Sequence, residues 1–163
     1  MLIGALETGG TKMVMAVADE RLNILRRDSV PTRAPGETMP RLIDFFRDAG
    51  VRAVGIAAFG PLDLNEHSPT YGNITATPKT AWRDFPLLKT FSDALNVPCA
   101  LDTDVNAAAL AQATLGAAKG RKSCAYVTVG TGIGAGLYLE GRLIHGSMHP
   151  EWGHIPIAPR PDD

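Results

Sequence analysis

The chain has 163 residues, of which 45% are hydrophobic and 20% charged, and its formal net charge is −1 at neutral pH. This composition is typical of a globular protein with one domain or slightly more. The nearly balanced charge argues against nucleic acid as a partner, and no apolar run approaches the length of a membrane span. Because the N-terminus lacks the features of a signal peptide, we expect a cytoplasmic protein. Cys99 and Cys124 lie in apolar, strand-like segments, which favours buried free thiols over a disulfide.

The first sixty residues predict three strands, one helix and a fourth strand. Apolar runs separated by polar or glycine-rich turns indicate the strands, and the last run is continuous enough to be buried on both faces. Apolar residues at helical spacing indicate a helix that opens at Pro35 and is stopped by Gly50. The four predicted strands cover residues 2–6, 12–18, 21–30 and 51–59.

The next part of the chain is a long loop over residues 60–86. A loop of this length in a compact domain is usually functional. One helix is predicted over residues 86–96, and a second, capped by Asp102 or Thr103, runs to about Gly116. Further strands are predicted over residues 98–101, 123–129, 133–140 and 142–145.

The order of these elements predicts an α/β layer architecture. A faint internal repeat points to two related halves, because a strand, a turn with glycine and threonine, and a second strand occur twice. The first copy carries its turn at residues 8–11 and the second at residues 130–134. Chance similarity between two glycine-rich hairpins is the alternative explanation.

Each glycine turn can bring main-chain amides close to a phosphate group. The alternative for either turn alone is an ordinary tight hairpin. A dinucleotide-binding fingerprint is rejected for residues 130–134, because residues 136–139 predict a strand where that fingerprint needs a helix. P-loop spacing is not present either. Two such turns facing each other would hold a triphosphate from both sides, which favours a nucleotide cleft.

Several segments together resemble the repressor–open-reading-frame–kinase (ROK) family of sugar kinases, over nearly the whole chain. Each motif is weak by itself, but their fixed order makes the set very specific. The segments are Gly-Ala-Leu-Glu-Thr-Gly-Gly-Thr-Lys at 4–12, Gly-Ile-Ala-Ala-Phe-Gly-Pro-Leu-Asp at 55–63, Tyr-Gly-Asn-Ile-Thr-Ala-Thr-Pro-Lys at 71–79 with Trp82, Thr-Asp-Val-Asn-Ala-Ala-Ala at 103–109, and Gly-Thr-Gly-Ile-Gly-Ala-Gly at 130–136 followed by Pro-Glu-Trp-Gly-His at 150–154. The resemblance implies an actin-like ATPase (ribonuclease H-like) fold, with the first domain complete and the first strands of the second.

The resemblance assigns the role of catalytic base to Asp104, at the predicted start of a helix. A sugar hydroxyl that attacks the γ-phosphate of ATP needs a group to accept its proton and hold it in line. A carboxylate at a helix N-terminus stays ionised and fixed in direction. By spacing alone, an ordinary capping aspartate fits equally well.

The resemblance also implies which residues hold the two substrates, ATP with Mg²⁺ and the sugar. Two interpretations are possible for each of two lysines. Lys12 is either a charge on the phosphate side or a solvated residue at the start of a strand. Lys79 is either a group on the sugar side or an ordinary charge in a loop. The implied phosphate-binding residues are Gly9, Gly10, Thr11, Lys12, Gly130, Thr131 and Gly132. The implied sugar-binding residues are Gly60, Thr77, Asn106, Glu151 and His154.

Glu151 and His154 lie three residues apart, so on a helical turn they share a face. In the family these positions hydrogen-bond sugar hydroxyls, and the histidine is also a zinc ligand. The other ligands of the family's zinc site should follow soon after His154, whereas this sequence ends at Asp163 and a structural zinc needs four ligands. His145 and His149 do not fall on the motif and are interpreted as surface or hinge histidines.

We therefore expect the N-terminal half of a kinase, as a fragment or a truncated product. A sugar- and phosphate-binding domain is expected at 1–119, and the start of a nucleotide domain at 120–163. Glu7, Thr103 and the loop at 75–82 favour the fructokinase branch, which phosphorylates the 6-hydroxyl of fructose. The alternatives are another ROK hexose or N-acetylmannosamine kinase, and a catalytically inactive sugar-binding fragment. A repressor of the family would need an N-terminal helix-turn-helix, whereas the predicted elements open with a strand. A homodimer is also expected.

Overall fold

The computed structural model describes residues 1–130, 132–146 and 149–159. Within these ranges the strands and helices follow one another in the predicted order. The elements are β1 (Ile3–Thr8), β2 (Lys12–Ala18), β3 (Ile24–Pro31), α1 (Pro35–Ala49), β4 (Val54–Ala58), α2 (Leu87–Leu95), β5 (Cys99–Thr103), α3 (Asp104–Thr114), β6 (Cys124–Val129), β7 (Ile133–Leu139) and β8 (Arg142–Leu143). Two short 3₁₀ helices cover Thr80–Trp82 and Trp152–His154.

The chain divides into two compact units. The first contains Met1–Asp104 together with His149, and the second contains Val105–Gly146 together with residues 150–159. The sequence placed the boundary after residue 119, so nearly all of α3 groups with the second unit instead of the first. The packing of α3 against the hairpin that follows it, described below, accounts for this difference.

The first unit is built on a five-stranded sheet in the order β3-β2-β1-β4-β5. The strands β1, β2 and β3 form an antiparallel meander, as predicted, while β4 and β5 run parallel to β1. Parallel neighbours require crossover connections, and α1 and α2 supply helices in them. The sheet is therefore mixed, with its three parallel strands side by side.

Helix α1 forms where the sequence predicted it. Pro35 occupies the first turn, and Gly50 ends the helix in the left-handed conformation with φ of 64°. The helix packs tightly on β1, because a Cβ on Gly4 would lie 2.8 Å from the ring of Phe46. Phe46 in turn meets Phe91 of α2 edge to face, with ring centroids 6.2 Å apart. These contacts join both helices to the core of the first unit.

Strand β5 is longer than predicted and helix α3 starts directly after it. Asp102 is consequently a strand residue, and Thr103 immediately precedes the first helical residue, Asp104. Cys99 and Cys124 are free thiols, as predicted, but each is only half-buried. Burial raises the pKa of the Cys99 thiol. Among the described helices, none has the length and apolar character needed to cross a membrane.

The second unit contains a three-stranded antiparallel sheet in the order β6-β7-β8. Val129 pairs with Ile133 across the turn that joins β6 and β7, so the strand predicted after the glycines is present. This confirms the rejection of a dinucleotide-binding fingerprint at this turn. Val127, Val129 and Leu139 are exposed apolar side chains of this sheet, whereas Leu137 is half-buried.

Candidate active site

The carboxyl ends of β1, β4 and β5 lie side by side at one edge of the first unit's sheet. Thr8 is in register with Ala58, and Ala58 is in register with Thr103. Each strand is followed by a segment that the sequence singled out: the first glycine turn, Gly60 and Asp104. Since neighbouring strands are ~4.8 Å apart, the ends of β1 and β5 are about 10 Å apart. Ligands of α/β proteins bind at this type of edge.

The glycine turn after β1 is fixed by hydrogen bonds at its base, and its tip is exposed to solvent. The Gly9 amide donates to the Lys12 carbonyl at 3.0 Å, and a Cβ on Gly9 would lie 2.5 Å from that oxygen. Only glycine fits there. The hydroxyl of Thr32 donates to the Gly9 carbonyl at 2.7 Å, and its amide donates to the Thr11 carbonyl at 2.9 Å. Gly10 and Thr11 are exposed, so the tip can meet a ligand.

Lys79 places its ammonium group on this turn. Its Nζ donates to the Gly10 carbonyl at 2.5 Å and lies 5.9 Å from the centroid of the Phe59 ring. The sequence did not decide whether Lys79 is a group on the sugar side or an ordinary charge in a loop. The structure puts it beside the predicted phosphate-binding turn, 69 positions along the chain from its partner. Lys12, by contrast, is an exposed residue at the start of β2.

The loop that carries Lys79 is anchored by buried groups. Trp82 is 2% exposed and donates from its indole Nε1 to the Arg33 carbonyl at 2.7 Å. The ring also packs edge to face against aromatic neighbours on two sides, so Trp82 belongs to the core. Thr77, predicted to bind sugar, is also buried, and its carbonyl accepts from the Arg83 guanidinium at 3.4 Å.

Gly60 lies under the ring of His149. A Cβ on Gly60 would lie 2.3 Å from the imidazole Cε1, and the imidazole Nδ1 accepts from the Leu62 amide at 3.2 Å. The His149 ring thus packs on the turn after β4, a contact that the sequence did not predict. His145 is half-buried, and the interpretation of the two residues as surface or hinge histidines stays a prediction. No local pattern signals the His149 contact, which joins positions 87 residues apart.

Asp104 is the first residue of α3 and its side chain is exposed. The positive end of the helix dipole favours the ionised carboxylate at this position. Asp102 is half-buried in β5, and one of its oxygens accepts from the Thr103 amide at 2.7 Å. The charge of Asp102 also acts on Tyr71, because burial, and then the charges of Glu66 and Asp102, raise the pKa of the Tyr71 hydroxyl. The two aspartates thus occupy different environments at the end of β5.

Gly130 and Gly132 of the second glycine turn are exposed. The Gly130 amide donates to the Gly132 carbonyl at 2.9 Å, and a Cβ on either residue would meet nothing within 4 Å. Packing therefore does not explain these two glycines, and their role with phosphate stays a prediction. Thr131, predicted to act with them, lies outside the described residues.

The next glycines, Gly134 and Gly136 in β7, are required by packing. A Cβ on Gly136 would lie 2.1 Å from the carbonyl oxygen of Val105, and one on Gly134 would lie 2.9 Å from the Val105 side chain. The first turn of α3 therefore rests directly on β7. On the other side, the Cys124 thiol lies 3.8 Å from the carbonyl of Ala109. These contacts group α3 with the second unit.

Glu151 and His154 share one face of a 3₁₀ turn, as predicted. The imidazole Nδ1 lies 3.0 Å from the Glu151 carboxylate, and the His154 amide donates to the Glu151 carbonyl at 2.9 Å. Gly153 lets the turn approach the start of β7, because a Cβ there would lie 2.1 Å from the Ile133 carbonyl oxygen. The structure thus brings this pair next to the second glycine turn, with both side chains more than half exposed.

Asn106, the remaining predicted sugar contact, is fully buried in the first turn of α3. Its side-chain nitrogen lies 3.5 Å from the carbonyl of Ile144, just after β8. In this arrangement Asn106 links α3 to the end of the three-stranded sheet. Its predicted contact with sugar stays a prediction.

His154 was also predicted to bind zinc. In the part of the chain that the structure describes, no three His, Cys, Asp or Glu side chains converge as a metal site. His154 is the one ligand the motif supplies here, and its Nδ1 faces Glu151. A structural zinc needs four ligands, so the residues present do not form that site.

Comparisons with known proteins agree on the class of this chain. A Bacillus subtilis protein provisionally named a fructokinase is 49% identical over 162 residues, covering 99% of this chain and 54% of that protein. The fructokinase of Zymomonas mobilis is 44% identical, with 99% and 56% covered. The glucokinase of Streptomyces coelicolor is 32% identical, with 94% and 49% covered. The chain spans about half the length of the curated relatives it matches.

Solved structures give the same result. The ROK hexokinase of Thermus thermophilus superposes with a TM-score of 0.78 at 36% identity, covering 98% of this chain and 54% of the other. A glucokinase of Streptomyces griseus, solved with glucose and AMPPNP, gives a TM-score of 0.76 at 29% identity, with 97% and 51% covered. The chain therefore shares its fold with these two kinases. The ROK family model matches residues 3–162, and the chain belongs to the ROK family.

Proposed function

We propose that this chain is the sugar- and phosphate-binding half of an ATP-dependent fructokinase. The observation that carries the proposal is the sheet edge where the first glycine turn, Gly60 and Asp104 follow three adjacent parallel strands. A turn suited to phosphate and an exposed carboxylate about 10 Å away are the two groups that phosphoryl transfer to a hydroxyl requires.

In this proposal Asp104 is the catalytic base. Its carboxylate accepts the proton of the sugar hydroxyl while the hydroxyl oxygen forms a bond to the γ-phosphorus of ATP. The bond from that phosphorus to the bridging oxygen breaks, and ADP leaves with its electron pair. The positive end of the helix dipole lies at the first residue of α3, where it favours the negative charge of the Asp104 carboxylate.

Each glycine turn is proposed to bind phosphate of magnesium-bound ATP. The Gly9 and Gly130 amides donate within their own turns, so the proposed donors to phosphate oxygens are main-chain amides of the exposed residues Gly10 and Thr11 in the first turn and Gly132 in the second. ATP as the phosphate donor is supported by the Streptomyces griseus relative, which was solved with the ATP analogue AMPPNP. The cytoplasmic location and the homodimer stay predictions.

The sugar is proposed to meet Glu151 and His154. A carboxylate accepts hydrogen bonds from two hydroxyls and an imidazole can donate to a third oxygen, which suits a polyhydroxylated ligand. Fructose is proposed because relatives named fructokinase are 44% and 49% identical, whereas the glucokinase of Streptomyces coelicolor is 32% identical. The sugar-side residues Gly60, Thr77 and Asn106 are retained in the proposal.

Sugar choice is tested with the full-length protein that carries this chain. ADP release is measured with fructose, mannose, glucose and N-acetylmannosamine, and kcat/KM is compared. One or two hydroxyl contacts, worth about 1–3 kcal/mol each, should favour fructose by roughly 10-fold or more. A higher kcat/KM for any of the other sugars would reassign the substrate within the family.

A further inference from the structure

We propose that Lys79 is a catalytic residue that contacts the transferred phosphate. The inference rests on the proposed kinase function and adds a residue that the motif-based site does not contain. Its basis is the position of the Lys79 ammonium on the carbonyl of Gly10, at the open tip of the first glycine turn. The substrate group it would take is the terminal phosphate of a nucleoside triphosphate.

The contact leaves Lys79 able to bind a second group. A lysine ammonium carries three N–H donors, and the Gly10 carbonyl accepts from one of them. The face of the Phe59 ring, 5.9 Å away, stabilises the positive charge. A phosphate on the amides of the turn would otherwise face the negative end of the Gly10 carbonyl. The ammonium offsets that repulsion and supplies a donor at the same place.

The fold holds Lys79 in this position by contacts that do not involve its charge. Trp82, three residues later, is buried and bonded through its indole nitrogen to the Arg33 carbonyl. The Arg83 guanidinium donates to the Thr77 carbonyl at 3.4 Å, and the Lys79 amide lies 3.4 Å from the Thr77 hydroxyl. A charge fixed in advance stabilises a transition state without reorganisation, which is the property of an effective electrostatic catalyst.

The distribution of roles at the sheet edge supports phosphate instead of sugar as the ligand of Lys79. Phosphoryl transfer places negative charge on the equatorial oxygens of the phosphate, and positive groups near those oxygens lower the barrier. A neutral sugar gains no such benefit from a full positive charge. Lys79 touches the glycine turn, whereas Asp104, the proposed base for the hydroxyl, follows β5 two strands away.

The test uses Lys79→Met and Lys79→Arg in the full-length protein. Lys79→Met keeps the length of the side chain without charge, and we expect kcat to fall about 10²–10³-fold with fructose affinity and Tm unchanged. Lys79→Arg should restore part of the activity, because it keeps the charge. The control is Lys89→Met, an exposed lysine on α2 paired with Asp93 at 2.8 Å, which should leave kcat unchanged. A kcat for Lys79→Met within threefold of the wild type overturns the proposal.

Chemical rescue separates a charge effect from a structural one. Ethylammonium added to Lys79→Ala should raise kcat at least 10-fold, and it should not affect the wild type. No rescue, together with a lowered Tm, would show that Lys79 only supports the loop and would overturn the proposal.

A binding experiment distinguishes failure of this inference from failure of the proposed function. Inorganic tripolyphosphate is titrated into the 163-residue chain and followed by phosphorus NMR. We expect binding by the wild type, with affinity at least tenfold lower for Lys79→Met. If the full-length protein phosphorylates no sugar but this difference persists, the kinase assignment fails and Lys79 stands as a polyphosphate ligand. If the kinase is active and both chains bind tripolyphosphate equally, the Lys79 inference fails alone.

Discussion

Replacing Gly136 with alanine should distinguish the glycines of residues 130–136 that packing requires from those predicted to bind phosphate. A Cβ on Gly136 would lie 2.1 Å from the Val105 carbonyl oxygen and 2.8 Å from the Asn106 amide nitrogen. Both neighbours are main-chain atoms of α3, so no side chain can swing away. Since favourable contacts between heavy atoms begin at about 3.5 Å, β7 or α3 would have to move by more than about 1 Å.

The expected loss for Gly136→Ala is at the upper end of the range for overpacking, about 3 kcal/mol, with Tm lowered by roughly 6–12 °C. The matched control is Gly132→Ala, in the same motif, where a Cβ meets nothing within 4 Å. That control should stay within about 0.5 kcal/mol of the wild type. Urea denaturation of the 163-residue chain, followed by circular dichroism, measures both.

Hydrogen exchange shows where the Gly136→Ala loss arises. Protection should fall at the amides of β7 and the first turn of α3, while β1 and β4 of the first unit keep theirs. If Gly136→Ala is as stable as Gly132→Ala, the close packing of β7 on α3 is refuted, and so is the reason given for grouping α3 with the second unit.

Two further predictions concern the loop after β4. Gly60→Ala should lower the free energy of unfolding by about 1–3 kcal/mol, because the added Cβ collides with the His149 ring. Adding His149→Ala should recover part of that loss, and additive losses in this double-mutant cycle would contradict the contact. Hydrogen bonds from Ser68 and Thr70 lower the pKa of Asp63, so its contribution to stability is present at neutral pH and is lost as pH falls below about 4. The gap in unfolding free energy between wild type and Asp63→Asn should therefore narrow from pH 7 to pH 3, and a constant gap would rule this out.

Local patterns were enough to predict most elements and part of the site. Helix α1 follows from apolar spacing and from Gly50, whose left-handed conformation only glycine adopts readily. Both glycine turns are hairpins as predicted, and Glu151 and His154 share a face because their spacing matches a helical turn. In each case the determining interaction lies within a few residues along the chain.

The features that could not be predicted depend on contacts between distant parts of the chain. Lys79 reaches Gly10 across 69 positions, and His149 reaches Leu62 across 87, so no periodicity encodes either contact. A sequence also does not show whether a glycine is needed for a ligand or for packing. For Gly136 the close approach to α3 supplies the answer, and the same approach moves the boundary between the units.

The central claim is that Asp104 accepts the proton of the sugar hydroxyl at the edge formed by β1, β4 and β5. The direct measurement is kcat and fructose affinity for Asp104→Asn in the full-length protein, with Asp44→Asn as a control. Asp44 is an exposed carboxylate on α1 that pairs with Arg47 at 2.8 Å. Its replacement should change kcat little, because surface pairs contribute little.

Asparagine keeps the shape of Asp104 but cannot accept the proton. If Asp104 is the base, Asp104→Asn lowers kcat about 10²–10⁴-fold, while the dissociation constant for fructose, measured by calorimetry, stays within a few-fold of the wild type. A kcat for Asp104→Asn close to that of the wild type and of Asp44→Asn would show that Asp104 is not the base.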